Sequence, residues 1–227
     1  MARRDLLKLS PLLLAAAFAV PSWRAKLFGA GMEFNDWISA AIFRREHLAR
    51  TYSDADLVPL DRFYVNTYDL DDPGIDLDHW TLTVQGDVKH PGEYTLVQIQ
   101  SLSRQRQNTK HVCVEGWDSI GRFGGARLAD FLQMVGANPR ARFLYMECAD
   151  DYYESLDMAT ALHPQSLLCY EMYDQPLERV HGAPVRLSLP TKLGYKSAKY
   201  LQLLRVTDVM PKKGYWEDQG YDWYAGI

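Results

Sequence analysis

Residues 110–117 read Lys110-His111-Val112-Cys113-Val114-Glu115-Gly116-Trp117, and the rest of the chain is understood from this stretch outward. Taken as a strand over Lys110 to Glu115, its period-two alternation puts His111, Cys113 and Glu115 on one face and Val112 and Val114 on the other. The valines then anchor the strand in the core, and Gly116 lets the chain turn beside a thiol flanked by two titratable groups. A thiolate is both a soft ligand for a transition metal and a nucleophile. A lone cysteine is more often a buried structural residue. Two polar neighbours on the same face weigh against that, because a structural thiol normally has apolar company.

The other two cysteines, Cys148 and Cys169, complete a count of three that cannot pair fully within one chain. No C-x-x-C occurs, which excludes a zinc ribbon and a thioredoxin-type motif. Cys148 and Cys169 are expected to be free and buried. The chain has 227 residues, 47% hydrophobic and 12% aromatic, enough for a sizeable core in one large domain or two small ones. With 25 Lys+Arg against 29 Asp+Glu, its net charge of −4 gives no overall drive toward nucleic acid. No G-x-x-x-x-G-K-[ST], G-x-S-x-G or H-E-x-x-H is present. Adjacent carboxylates such as Asp150-Asp151 read as a solvated loop.

A second informative segment runs His181-Gly182-Ala183-Pro184-Val185-Arg186-Leu187-Ser188-Leu189-Pro190, followed by Thr191-Lys192-Leu193-Gly194-Tyr195-Lys196-Ser197-Ala198-Lys199. Lysines, hydroxyls and free backbone N–H groups together make a site for a phosphate or another anion, or else a solvated basic loop. Arg186 is harder to dismiss. An arginine inside an otherwise apolar strand needs an anionic or multiply accepting partner.

Strands are expected at 79–84, closed by Gly86, and at 110–115, 142–148, 167–172, 185–189 and 201–206. Helices are expected at 94–102, 127–135 and 156–162, the last capped by Ser155. The order is mixed and the connections short, which gives an α+β fold: a single strand-rich mixed domain over 55–227. Residues 34–50 carry apolar side chains near helical spacing, so 31–54 is expected to form an N-terminal amphipathic helix against the domain. The aromatic cluster Tyr215, Trp216, Tyr221, Trp223 and Tyr224 is expected to pack against the domain rather than shape a pocket mouth.

Residues 1–30 read as an export signal: Arg3 and Arg4 precede the unbroken apolar run Leu12 to Val20, too short to span a membrane. The order Arg3-Arg4-Asp5-Leu6-Leu7 resembles a twin-arginine signal, which exports folded proteins and suits one that acquires a bulky cofactor first. A periplasmic location follows as an expectation.

Several separated motifs, in order, resemble the molybdopterin-binding domain of the sulfite oxidase superfamily. They are His111 to Trp117, Cys148-Ala149-Asp150-Asp151-Tyr152-Tyr153, Gly182 to Arg186, Thr191 to Lys196, and Gly214-Tyr215-Trp216-Glu217-Asp218-Gln219-Gly220-Tyr221. The branch it looks most like holds the periplasmic methionine sulfoxide reductase catalytic subunits. The resemblance implies a molybdenum–molybdopterin cofactor with Cys113 as the protein's one thiolate ligand to the metal. It implies that Asn66 and Tyr68 contact the cofactor and that Arg186, Ser197, Ala198 and Lys199 hold the pterin phosphate. Cys148 and His181 fall at further cofactor-contacting positions, where the reductases have threonine and asparagine. His181-Gly182 resembles true sulfite oxidases instead. The Gly-Asn-Arg-Arg that follows the metal cysteine in those enzymes is replaced here by Glu115-Gly116-Trp117-Asp118, so the substrate does not transfer with the resemblance.

The expected activity is a two-electron oxygen-atom transfer on a small oxo-substrate or a protein sulfoxide, with Cys113, Glu115 and Tyr68 as catalytic residues. Glu115 and Tyr68 are the candidates for proton delivery. No C-x-x-C-H haem motif occurs, so electrons are expected to pass to or from a separate membrane cytochrome b. The alternatives are sulfite-dehydrogenase-like oxidation of a sulfur compound and a non-catalytic partner module that keeps the cofactor fold.

Overall fold

The computed structural model describes residues 30–31, 34–36, 38–39, 43, 46–66 and 72–227. Two compact units are present, Met1–Ile42 and Phe43–Ile227. Apart from residue 30, the expected export signal lies outside the described residues, and so does Tyr68. In the first unit, residues 30–31, 34–36 and 38–39 are helical. The N-terminal helix expected over 31–54 does not continue to its end: Phe43 and residues 47–53 are not helical. There, pairing with the second unit's own sheet wins over helical spacing. Ala49 N donates to Gln165 Oε1 at 2.7 Å, Tyr52 N donates to Asn108 O at 3.1 Å, and Thr51 bridges Thr109.

Among the described residues, ten strands make two sheets. The first sheet is ordered β2 (Gly92–Thr95), β1 (Thr81–Gly86), β10 (Leu201–Thr207), β5 (Phe143–Cys148), β6 (Tyr153–Asp157). Its β1–β10 pair is parallel and its other pairs antiparallel. The second is ordered β3 (Arg104–Val112), β4 (Asp118–Arg127), β7 (Leu167–Met172), β8 (Gln175–Pro176), with β9 (Arg186–Ser188) also on β7. Among the described residues of the second unit, three short α-helices, α1 (Leu96–Gln100), α2 (Leu128–Met134) and α3 (Met158–Ala161), complete the α+β fold.

Alternation builds the core. On β1 Leu82 and Val84 are buried while Thr81 and Thr83 are half-buried. The same cluster holds Leu144 and Met146 of β5, Leu204 and Val206 of β10, Leu168 and Tyr170 of β7, and Leu187 of β9. Inner faces of both sheets therefore share one core, each buried leucine contributing roughly 1.5–3 kcal/mol. Gly86 closes β1 at φ +86, and the close approach requires glycine, since a Cβ there would lie 2.0 Å from Val206 O.

Two expected elements change. The helix read over 156–162 begins only at Met158, because Leu156 belongs to β6 and pairs with Leu144. Its cap is Asp157, whose Oδ1 accepts from Thr160 N at 2.8 Å. Ser155 is engaged elsewhere: its Oγ donates to Lys213 O at 2.5 Å and accepts from Trp223 Nε1 at 2.8 Å. Further, the strand read over 110–115 ends at Val112.

Candidate active site

That early end creates the site. β3 and β4 pair from Arg104↔Ala126 to Val112↔Asp118, and residues 113–117 turn between them. Cys113 N donates to Trp117 O at 2.9 Å, Gly116 N donates to Cys113 O at 3.2 Å, and Gly116 takes φ +92, a conformation suited to glycine. Cys113 and Glu115 thus meet at a hairpin tip and not on one strand face. Val114 is 45% exposed and Val112 half-buried, so neither valine anchors the segment in the core as expected.

Cys113 Sγ lies 3.7 Å from Glu115 Oε2. The same carboxylate oxygen accepts from Trp117 Nε1 at 3.0 Å and from Asn66 Nδ2 at 3.2 Å. Burial raises the Cys113 thiol above its ordinary value, and the Glu115 carboxylate adds to the rise. A bound cation reverses that balance, because coordination deprotonates a thiol.

The hairpin tip opens on a cavity of about 550 Å³. Cys113, Glu115 and Asn66 line it, and so do His181, Arg186 and the run Ser197-Ala198-Lys199. Cys148 does not: it sits in the core at the end of β5. All three cysteines are free, with Cys148 and Cys169 buried.

Arg186 is buried, and its guanidinium donates to three backbone carbonyls: His181 O at 3.0 Å, Leu187 O at 3.2 Å and Ser197 O at 3.2 Å. Lys199 Nζ donates to Asn66 O at 3.1 Å and Val180 O at 3.3 Å. Gly182, at φ +103, lets these two cations stand side by side, since a Cβ there would lie 2.9 Å from Lys199 Cβ and 3.2 Å from Arg186 Cβ. Burial, then Arg186 and Lys199, push His111 down to about 3 and His181 down to about 4. Both imidazoles are neutral at pH 7, so this end of the cavity holds two cations beside two neutral rings.

The basic loop is only partly what its composition suggests. Lys192 Nζ donates to Tyr224 O at 2.7 Å, and Lys196 Nζ lies 2.6 Å from both Glu154 Oε1 and Glu217 Oε1. Both lysines are buried, and of the three only Lys199 lines the cavity. The aromatic cluster also divides: Tyr215, Trp216 and Tyr221 line the cavity, whereas Trp223 and Tyr224 pack inward. Asp150 and Asp151, read as a solvated loop, are cavity residues, and burial raises the Asp150 carboxyl. Tyr64 and Tyr152 also line it, without any residue-level signal beyond the motif around Tyr152.

The donor set fits a molybdopterin. A buried guanidinium and an ammonium side by side at the cavity suit a phosphate dianion, and the thiol suits a soft metal. Among the described residues no group of three or more His, Cys, Asp or Glu side chains is placed to hold a metal ion. A metal at Cys113 would take its other ligands from outside these side chains, as a cofactor with its own sulfur ligands supplies them.

A family model described as an oxidoreductase molybdopterin binding domain matches residues 69–216. The chain is 42% identical over 195 residues to the putative protein-methionine-sulfoxide reductase subunit YedZ1 of Azospira oryzae, covering 85% of this chain and 73% of that protein. It is 28% identical over 184 residues to the protein-methionine-sulfoxide reductase catalytic subunit MsrP of Xanthomonas campestris pv. campestris, covering 72% of this chain and 57% of that protein. Against MsrP of Ralstonia nicotianae it is 32% identical over 148 residues, covering 58% of this chain and 45% of that protein. The chain thus spans about half the length of these MsrP relatives. Among solved structures, the sulfane dehydrogenase SoxCD from Paracoccus pantotrophus shares the fold with a TM-score of 0.56 at 20% identity, covering 60% of this chain and 40% of that one.

Proposed function

Because the chain belongs to the oxidoreductase molybdopterin-binding domain family, we propose that it is the catalytic subunit of an exported sulfoxide reductase acting on methionine sulfoxide. The observation that carries this reading is the division of charge in the cavity. Arg186 and Lys199 stand where a cofactor phosphate would neutralise them. Among the described residues, Arg186 and Lys199 are the only Arg or Lys side chains on the wall, which also carries the carboxyls of Glu115, Asp150 and Asp151 and aromatic rings such as Tyr64, Trp117 and Trp216. Such a wall receives a neutral sulfoxide with apolar neighbours and repels an anion such as sulfite. The names of YedZ1 and MsrP support the same substrate.

The bound molybdopterin supplies two-electron oxygen-atom transfer, so that a sulfoxide, two electrons and two protons become a thioether and water. The chain's residues do the rest. Cys113 gives the metal its protein thiolate. Asn66, His181, Ser197 and Ala198 line the pterin's seat, and Arg186 and Lys199 hold its phosphate. Glu115, oriented by Trp117 and Asn66 beside the thiol, delivers protons to the reacting oxygen, and Tyr68 shares that role. The aromatic rings limit water at the mouth.

The sequence contains no C-x-x-C-H for a c-type haem, and the proposed electron donor is a separate membrane cytochrome b. The names of the relatives are likewise those of subunits. Arg3-Arg4 and the apolar run after them suit export of the folded, loaded protein to the periplasm. A reduced-dye assay on molybdenum-loaded protein tests the activity against methionine sulfoxide, other S- and N-oxides, and sulfite in the oxidative direction. Methionine sulfoxide is expected to turn over and sulfite not to. Faster turnover of sulfite, or none of any sulfoxide, overturns the reading.

A further inference from the structure

Behind the cavity wall lies a charge cluster that the chemistry above does not use. Lys196 Nζ is 2.6 Å from Glu154 Oε1 and 2.6 Å from Glu217 Oε1, and all three side chains are at most 1% exposed. Each belongs to a segment that walls the cavity. Tyr152 lies just before Glu154, Tyr195 and Ser197 flank Lys196, and Trp216 precedes Glu217. Gly214 makes room for the cluster: a Cβ there would lie 2.0 Å from Glu217 Oε2 and 2.6 Å from Glu154 Oε1.

Two buried carboxylates facing one ammonium would carry a net negative charge, which burial strongly disfavours. A single proton makes the cluster neutral, and hydrogen-bond geometry places it. Tyr152 Oη lies 2.8 Å from Tyr195 O and 3.3 Å from Glu154 Oε2. The tyrosine has one hydroxyl hydrogen, and the carbonyl can only accept it. The contact with Glu154 Oε2 is then satisfied by a proton on that oxygen. Glu154 Oε1 meanwhile accepts from Ser155 N at 2.7 Å and from Lys196. Glu217 Oε2 is buried without a hydrogen-bond partner, so a proton there would meet no acceptor.

We infer that Glu154 is a neutral carboxylic acid in the folded protein, and that the Glu154–Lys196–Glu217 cluster positions the cofactor loop 194–199 and the mouth segment 214–221 against β6 only while it holds this proton. Burial pushes the Glu154 carboxyl up to about 8, with Lys196 opposing and Glu217 adding to the rise. Of the other titratable groups facing it, Tyr152 and Cys148 are held well above their ordinary values by burial, so neither gives up its own proton first. The sign follows from the raised value. From the ordinary carboxyl range up to about pH 8, the folded protein keeps a proton that the unfolded chain has released. Stability contributed by Glu154 therefore falls as pH rises through that window, then levels off. Glu154 acts through Lys196 and Tyr152 and is a positioning residue. The inference rests on the cavity being the molybdopterin site.

Molybdenum-loaded protein dialysed from about pH 6 to about pH 10 tests it, with infrared spectra and molybdenum content read at each step. The carbonyl band of a protonated, buried acid is expected in the wild type at neutral pH and to vanish with a midpoint near 8, molybdenum falling over the same range. Glu154→Gln keeps a neutral donor toward Tyr152 and is expected to lack the band yet hold its molybdenum throughout. Glu217→Gln removes a negative neighbour and is expected to lower the midpoint by about one pH unit. A merely structural cluster would lose stability in both variants without moving the midpoint. The inference is overturned if the wild type lacks the band at neutral pH, if Glu217→Gln leaves the midpoint in place, or if Glu154→Gln loses molybdenum with the wild-type pH dependence. A wild type that never takes up molybdenum refutes the cavity reading instead, and the infrared titration of the metal-free protein still decides the protonation of Glu154.

Discussion

Replacing Arg186 by Met keeps most of the side-chain volume and removes the guanidinium. In the metal-free protein two effects oppose each other. Three buried carbonyls, those of His181, Leu187 and Ser197, lose a donor, at about 1–3 kcal/mol each when nothing replaces it. Against that, Arg186 is 6% exposed and makes no ion pair among the described residues, and its burial already weakens its hold on the proton. Removing such a charge relieves several kcal/mol of desolvation. The metal-free variant is therefore expected to stay within about 2 kcal/mol of the wild type, a Tm change of a few degrees. The loaded protein has no such offset. A phosphate that loses two charge-assisted bonds at ~1.5–3 kcal/mol each is held at least about 100-fold more weakly. Molybdenum per chain after dialysis, alongside Tm of the metal-free form, separates the two effects. The His181 imidazole, held down to about 4 by burial and then by Arg186 and Lys199, should also titrate higher in the variant, which NMR reads directly. An Arg186→Met protein with a full molybdenum complement and an unmoved His181 titration would falsify the assignment of Arg186 to the anion end of the cavity.

Cys113→Ser removes the soft ligand at a half-buried hairpin tip, so molybdenum and dye-coupled turnover should be lost while Tm changes by the equivalent of about 1 kcal/mol or less; full turnover by the serine variant would end the ligand assignment. Gly194→Ala places a Cβ 2.5 Å from His111 Nε2 and 3.2 Å from Val112 O. The clash should lower stability by about 1–3 kcal/mol, and an unchanged Tm would mean that the His111 ring is not fixed there. His181 contributes a pH dependence of definite sign: the unfolded chain protonates below its ordinary 6.5, whereas the folded ring stays neutral down to about 4. Stability is therefore lost as pH falls through that window, by ~2 kcal/mol once water in the cavity is allowed for. Chemical denaturation at several pH values should show a shallower acid limb in His181→Gln, and identical limbs would contradict the shift.

Elements with a clean local period were legible without coordinates. The alternation of β1, the apolar run of β7 and the patterns of β5 and β10 announced strands, whereas the helix read over 94–102 begins only at Leu96, because Thr95 caps it: Gln98 N donates to Thr95 Oγ1 at 3.3 Å. β4 was not legible, because Gly121, Gly124 and Gly125 look like loop residues. They are strand residues for a tertiary reason: a Cβ at Gly125 would lie 2.1 Å from Leu168 O on β7. Cys113 stood out by its chemical company, although the strand face assumed for it is a turn. The thiol–carboxyl pair survives because a hairpin tip also brings residues two apart together.

The amino-acid sequence by itself determined which chemistry was available: a thiol beside a carboxyl, an arginine in an apolar strand, and three lysines in one loop. These are local properties, set by residue type and spacing. Which lysine could meet an anion was decided only by tertiary structure. Lys196 is spent on Glu154 and Glu217, which stand 42 and 21 residues away in sequence, and Lys192 on Tyr224, 32 away. A buried ammonium must find acceptors wherever the fold brings them, and no local pattern encodes partners that distant. Only Lys199, brought beside Arg186 by the missing Cβ of Gly182, is left at the cavity.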